Sequence, residues 1–167
     1  MERGRQATLS ETERAIQYAL RVLGYRARSA AEMRTRLARK GFAAGAIEHT
    51  LARLIELGLL DDRDCALGVV AARRGFGTAR LKQSLRQKGI DRDLAEEVLT
   101  GFSTEDEAAS AWQVATRALR ATPLPPAIEA ILRLRRMLHR RGFSSAVISR
   151  VCARLGEQSI VEGDWLE

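Results

Sequence analysis

Cysteine is nearly missing from this 167-residue chain: Cys65 and Cys152 are the only two, and they stand 87 positions apart. That excludes a disulfide framework and any closely spaced thiolate metal site. Proline is confined to Pro123, Pro125 and Pro126, in one short segment. The eight aromatic residues are too few to suggest a stacking platform for single-stranded bases. No uninterrupted apolar run approaches the roughly 20 residues needed to span a bilayer. The opening Met1-Glu2-Arg3-Gly4-Arg5 lacks the apolar core of a signal peptide, so a cytoplasmic chain is expected. Lysine occurs only at Lys40, Lys82 and Lys88, so arginine supplies 25 of the 28 cations.

What is present is a soluble globular composition, 46% hydrophobic and 29% charged. The formal charge of +7 suggests a polyanionic partner or an acidic protein surface. Ala, Leu, Arg and Glu dominate, with apolar residues spaced by three and four, so the chain reads as nearly all helix.

One segment recurs three times. It runs Met33 to Phe42, Leu81 to Ile90 and Leu134 to Phe143, and each copy turns on a glycine: Gly41, Gly89 and Gly142. Eight residues before the glycine stand Met33, Leu81 and Leu134; four before stand Leu37, Leu85 and Leu138. Phe42, Ile90 and Phe143 follow it directly. Leu51, Leu99 and Cys152 come ten after, and Leu54, Phe102 and Leu155 thirteen after. Spacings of four and three place each set on one helical face, so every copy reads as helix, sharp turn, helix. A cation (Lys40, Lys88, Arg141) suits the C-terminal end of the first helix, and the glycine suits the left-handed cap that follows.

Ser29 and Glu32 form a capping box at the first of these helices, and Thr78 is the expected N-cap of the second. A further amphipathic helix precedes each pair. Units of this size are expected to pack against one another to bury their apolar faces. The resulting division is a flexible arm over 1–12, three three-helix units over 13–60, 61–103 and 104–156, and an acidic tail over 157–167. Residues 121–126 would be a stiff connector inside the third unit.

Candidate catalytic residues are scarce. His49 and His139 occupy unrelated repeat positions and read as surface helix residues. Cys65 and Cys152 read as packing residues. Asp61-Asp62-Arg63-Asp64 lacks the glycine and distal glutamate of a calcium loop, and N-capping is the better account. Gly75-Phe76-Gly77 has neither the third glycine nor the preceding strand of a dinucleotide fingerprint. No catalytic residue, metal or cofactor is therefore expected.

The cations carry more information, because they repeat. Arg34, Lys82 and Arg135 stand seven before the turn glycine; Lys40, Lys88 and Arg141 stand one before. Arg36, Arg39, Arg86, Arg136 and Arg140 thicken the same helices, Arg133 extends the third, and Arg73 and Arg74 precede the second. These fourteen residues are the candidate partner-binding set. Guanidinium groups fit phosphate or carboxylate.

Together, Ser29-x-x-Glu32, Leu37-x-x-Lys40-Gly41-Phe42, Leu57-Gly58-Leu59-Leu60-Asp61-Asp62, Arg74-Gly75-Phe76-Gly77 and Leu85-Arg86-Gln87-Lys88-Gly89-Ile90 resemble the RecX family. Arg140-Arg141-Gly142-Phe143 matches its weaker last repeat, and the likeness covers roughly residues 14 to 155. Cys65 and Ala71 depart from the family pattern, where an aromatic and an arginine are usual. The resemblance implies an elongated, curved all-α array of three tandem three-helix repeats. It also implies a non-enzymatic regulator that binds the RecA recombinase and its filament on single-stranded DNA; a monomeric state and a weak direct contact with DNA are separate expectations. It carries over no catalytic residues. A helix-turn-helix transcriptional regulator is the alternative that three such units allow, although base reading normally concentrates on one recognition helix.

Overall fold

The computed structural model describes residues 9–120 and 127–162. Among them are nine helices and no strand: α1 (Glu11–Leu23), α2 (Ala30–Lys40), α3 (Ala44–Glu56), α4 (Asp62–Ala72), α5 (Thr78–Gln87), α6 (Arg92–Thr100), α7 (Thr104–Arg120), α8 (Ala127–Arg140) and α9 (Ser145–Glu162). They pack as three triplets in chain order: α1 to α3, α4 to α6 and α7 to α9. The first eight residues and the 121–126 connector lie outside the described residues.

Local chemistry starts these helices where the backbone needs donors satisfied. Capping boxes open α1 (Ser10 with Glu13) and α2 (Ser29 with Glu32). Asp61 caps α4 by accepting from the amides of Arg63 and Asp64, as expected of the acidic run. The N-cap of α5 is Gly77 rather than Thr78, because the Thr78 hydroxyl donates instead to Glu107 of α7. α1 begins at Glu11, inside the segment read as an arm. α9 continues through Glu162, well into the segment read as a tail.

Each turn glycine takes the left-handed conformation, with φ of +91° at Gly41, +70° at Gly89 and +81° at Gly142. In all three, the glycine amide donates to the carbonyl three residues back, and the next amide donates to the fully buried leucine five back. The apolar residue after the glycine then folds onto its unit. Ile90 and Phe143 are buried, and Phe42 packs partly buried against the first core.

The apolar repeat positions fill three separate cores. Met33, Leu37, Leu51 and Leu54 belong to the first; Leu81, Leu85, Ile90 and Leu99 to the second; Leu134, Leu138, Phe143, Cys152 and Leu155 to the third. Leu37, Leu85 and Leu138 are each 0% exposed. Units were expected to share apolar surface, yet each buries its own, and the junctions are largely polar. The reason lies in the turn glycines. Their carbonyl-rich helix ends face the amide-rich start of a helix in the preceding unit, a pairing that helix dipoles favour.

The two junctions repeat one another. At the first, the Ser29 hydroxyl donates to the Lys88 carbonyl, and the Ala30 amide donates to Asp62 at 2.7 Å. At the second, the Gly77 amide donates to the Arg141 carbonyl at 2.9 Å, and the Thr78 amide donates to Glu107 at 3.0 Å. Ser29 and Gly77 hold the same place, twelve before their turn glycines. Approach is close: a Cβ on Gly89 would stand 2.4 Å from the Ala31 Cβ, and one on Gly142 would stand 2.5 Å from the Arg80 nitrogen.

Candidate functional site

The fourteen candidate cations fall into two groups once their partners are known. Six are engaged within the fold. Arg34 forks onto Glu48 with two contacts of 2.8 Å, Lys82 lies 3.6 Å from Glu96, and Arg133 lies 3.0 Å from Glu129. Lys88 reaches back across the first junction to Glu32 at 3.2 Å. Arg141 donates to the Gly75 carbonyl at 3.2 Å and lies over the Phe76 ring, which Arg73 also approaches. The cations adjacent to the turn glycine in units two and three thus hold units together.

The other eight have no carboxylate partner among the described residues: Arg36, Arg39, Lys40, Arg74, Arg86, Arg135, Arg136 and Arg140. All are exposed. Arg136 donates only to the Leu132 carbonyl, at 3.3 Å.

Most of the unpaired set gathers in two clefts. One, of about 410 Å³, lies at the first junction between α2 and the α5–α6 turn. Arg36 and Arg39 face Arg86 there, beside Arg26, Arg28 and the Lys88–Glu32 pair. Arg28 is only 8% exposed, and its Nε is buried without a hydrogen-bond partner. Burial, reinforced by Arg26 and Arg36, pushes the Arg28 guanidinium below the usual arginine range. Burial also opposes ionisation of Glu32. Hydrogen bonds from Arg26 and Lys88 outweigh it and hold that carboxyl down at about 2. The single acid in the cleft is therefore already committed to two cations.

The second cleft, of about 390 Å³, runs between α8 and α9 and is lined by Arg135, Arg136, His139 and Arg140 with Ser145 and Ser149. Its charge follows from one broken repeat. Seven residues after the turn glycine stand Glu48 and Glu96, which neutralise Arg34 and Lys82; the third copy has Ser149 there. Arg135, the third copy's equivalent of Arg34, keeps its charge uncompensated.

Sequence reasoning missed Arg26 and Arg28, which lie in the non-repeating segment before α2, and set aside His139. The +7 position was a readable signal for Arg135. Cys65 and Cys152 are buried, and burial pushes both thiols above the ordinary range. No group of three or more His, Cys, Asp or Glu that could hold a metal ion occurs among the described residues. No described helix is long and apolar enough to cross a membrane.

Fold and charge together define a tandem three-helix repeat protein in which six of the candidate arginines without a described carboxylate partner line two clefts. Comparison with known proteins places it more closely. Residues 15–54 match the model for the first three-helix domain of RecX, and residues 61–99 match that for the second. The chain is 34% identical over 155 residues to the regulatory protein RecX of Thermobifida fusca, covering 91% of this chain and 84% of that protein. It is 38% identical over 143 residues to RecX of Mycobacterium leprae, covering 83% and 84%. The crystal structure of RecX from Lactobacillus salivarius superposes with a TM-score of 0.78 at 21% identity, over 87% of this chain and 97% of that one, which shows the shared fold. The chain belongs to the RecX family of regulatory proteins.

Proposed function

We propose that this protein binds the RecA recombinase assembled on single-stranded DNA and restrains the filament, damping strand exchange, ATP hydrolysis and the promotion of repressor self-cleavage. In this reading it acts in the cytoplasm as a non-enzymatic regulator of DNA repair and the SOS response. The observation that carries the reading is the sorting of the fourteen candidate cations: Lys88 and Arg141 join the units, and six of the eight without a described carboxylate partner concentrate in the junction cleft and the α8–α9 cleft. Clustered, uncompensated guanidinium groups repel one another, and carboxylates or phosphates of a partner relieve that repulsion. Two such clefts on one chain suit a repetitive, acidic partner better than a single operator site. The α8–α9 cleft, with no acid in its lining, is the stronger candidate for direct phosphate contact.

Inhibition of single-stranded-DNA-dependent ATP hydrolysis by RecA tests this. Substoichiometric protein should slow the reaction; no effect at equimolar protein would overturn the proposal.

A further inference from the structure

The chain contains three copies of one turn, and only two of them are filled by the described residues. At the filled copies, three things coincide. The carbonyl before the glycine accepts a hydrogen bond from the residue at the start of a helix in the preceding unit: Ser29 for Lys88, Gly77 for Arg141. That same helix start occupies the space over the glycine, as Ala31 does at Gly89 and Arg80 at Gly142. The long cation before the glycine folds onto the same segment, Lys88 onto Glu32 and Arg141 onto the Gly75 carbonyl.

The turn at Lys40–Gly41 has the same backbone. Gly41 is left-handed at φ +91°, its amide donates to Ala38, and the Phe42 amide donates to Leu37, as in the other two. Yet nothing described lies within 4 Å of a Cβ built on Gly41. Lys40 is exposed with no partner among the described residues. Beside it, Tyr18, Arg36 and Arg39 line a shallow cleft of about 210 Å³ that contains no acid.

We propose that the Lys40–Gly41 turn is a docking site for the start of a helix on another protein, one with a small capping residue, a small residue in its first turn and a carboxylate at the third helical position. The chemistry is that of the occupant at the first junction, where the cation is likewise a lysine and Ser29-Ala30-Ala31-Glu32 supplies each feature. The open end of α2 offers carbonyl acceptors for the incoming amides, and a helix C-terminus meeting a helix N-terminus aligns their dipoles. The third unit of a second copy does not meet the requirement in the same register. The equivalent of Ser29 in the third unit is Ala130, which lies inside α8 rather than at its start, and the equivalent of Glu32 is Arg133, which repels Lys40.

The test is a nuclear magnetic resonance titration of the full chain with a helical peptide that begins acetyl-Ser-Ala-Ala-Glu and continues in Ala, Gln and Leu. A control peptide begins acetyl-Ser-Ala-Leu-Gln. Saturable shifts of the Lys40 and Gly41 amides are expected with the first peptide. They should be absent with the control and in Lys40→Glu, a variant of an exposed side chain whose helical content should match the parent. Three results would each overturn the proposal. These are unmoved Lys40 and Gly41 resonances, equal shifts with both peptides, or contacts in the free chain showing that residues 1–8 already fill the turn.

Discussion

Lys88 and Glu32 are 56 positions apart in sequence, yet the ammonium of one lies 3.2 Å from both carboxylate oxygens of the other, across the boundary between the first two units. Both side chains are about four-fifths buried, so the pair is better shielded than the exposed Arg34–Glu48 pair, and solvent screens it less.

Glu32 makes the first unit and its junction acid-sensitive together, because Arg26 of its own unit and Lys88 of the next both hold its charge. The Glu32 carboxyl is held at about 2 in the folded chain, against roughly 4.3 when unfolded. Its contribution is therefore present above the unfolded value and is lost as pH falls from there toward 2. It amounts to about 3 kcal/mol at most. Thermal midpoints of the parent and Glu32→Gln, measured from pH 7 down to pH 2, should differ at neutral pH and converge at the acid end. A constant difference would show that the Glu32 charge, held by Arg26 and Lys88, is not what stabilises this end of the first unit.

Glycines divide sharply by place. A Cβ on Gly77 would stand 2.2 Å from the Gly142 carbonyl oxygen, and backbone at both sides leaves no room to adjust. Gly77→Ala should therefore destabilise by about 1–3 kcal/mol or part the second junction. Gly68, inside α4, has open space around it, and Gly68→Ala should stabilise by about 0.5–1 kcal/mol through helix propensity. Urea denaturation of the two variants measures both signs.

Leu85 fills the second core with none of its surface exposed. Leu85→Ala should cost about 2–5 kcal/mol. The same measurement on exposed Leu67, on the outer side of α4, should give a far smaller loss.

The sorting of cations predicts unequal effects of charge reversal. Arg135→Glu combined with Arg136→Glu should weaken filament binding and flatten its salt dependence without altering helical content by circular dichroism. Arg34→Gln, which removes a guanidinium already held by Glu48, should leave binding nearly unchanged. Equal losses from both would disprove the division into engaged and unpaired groups.

The repeat itself was legible from sequence because helix periodicity and a left-handed glycine leave residue-level marks. Met33, Leu81 and Leu134, and the apolar positions that follow them, lie in three cores as their spacing required. The fate of the cations was only half legible. The exchange of Glu48 and Glu96 for Ser149 is visible in an aligned repeat and accounts for Arg135. The use of Lys88 and Arg141 as inter-unit contacts is not, since their partners lie 56 and 66 positions away, in a neighbouring unit. Thr78 misled for the same reason: Glu107, a residue of α7, draws its hydroxyl away from the cap.

Separate apolar cores joined by hydrogen bonds and one shielded ion pair give this chain the energetics of a short one-dimensional lattice. Each unit carries its own intrinsic free energy, and each junction adds a nearest-neighbour coupling term. Substitutions at Ser29, Gly77 or Glu107 then alter how cooperatively the units melt, whereas those at Leu37, Leu85 or Leu138 alter which unit melts first.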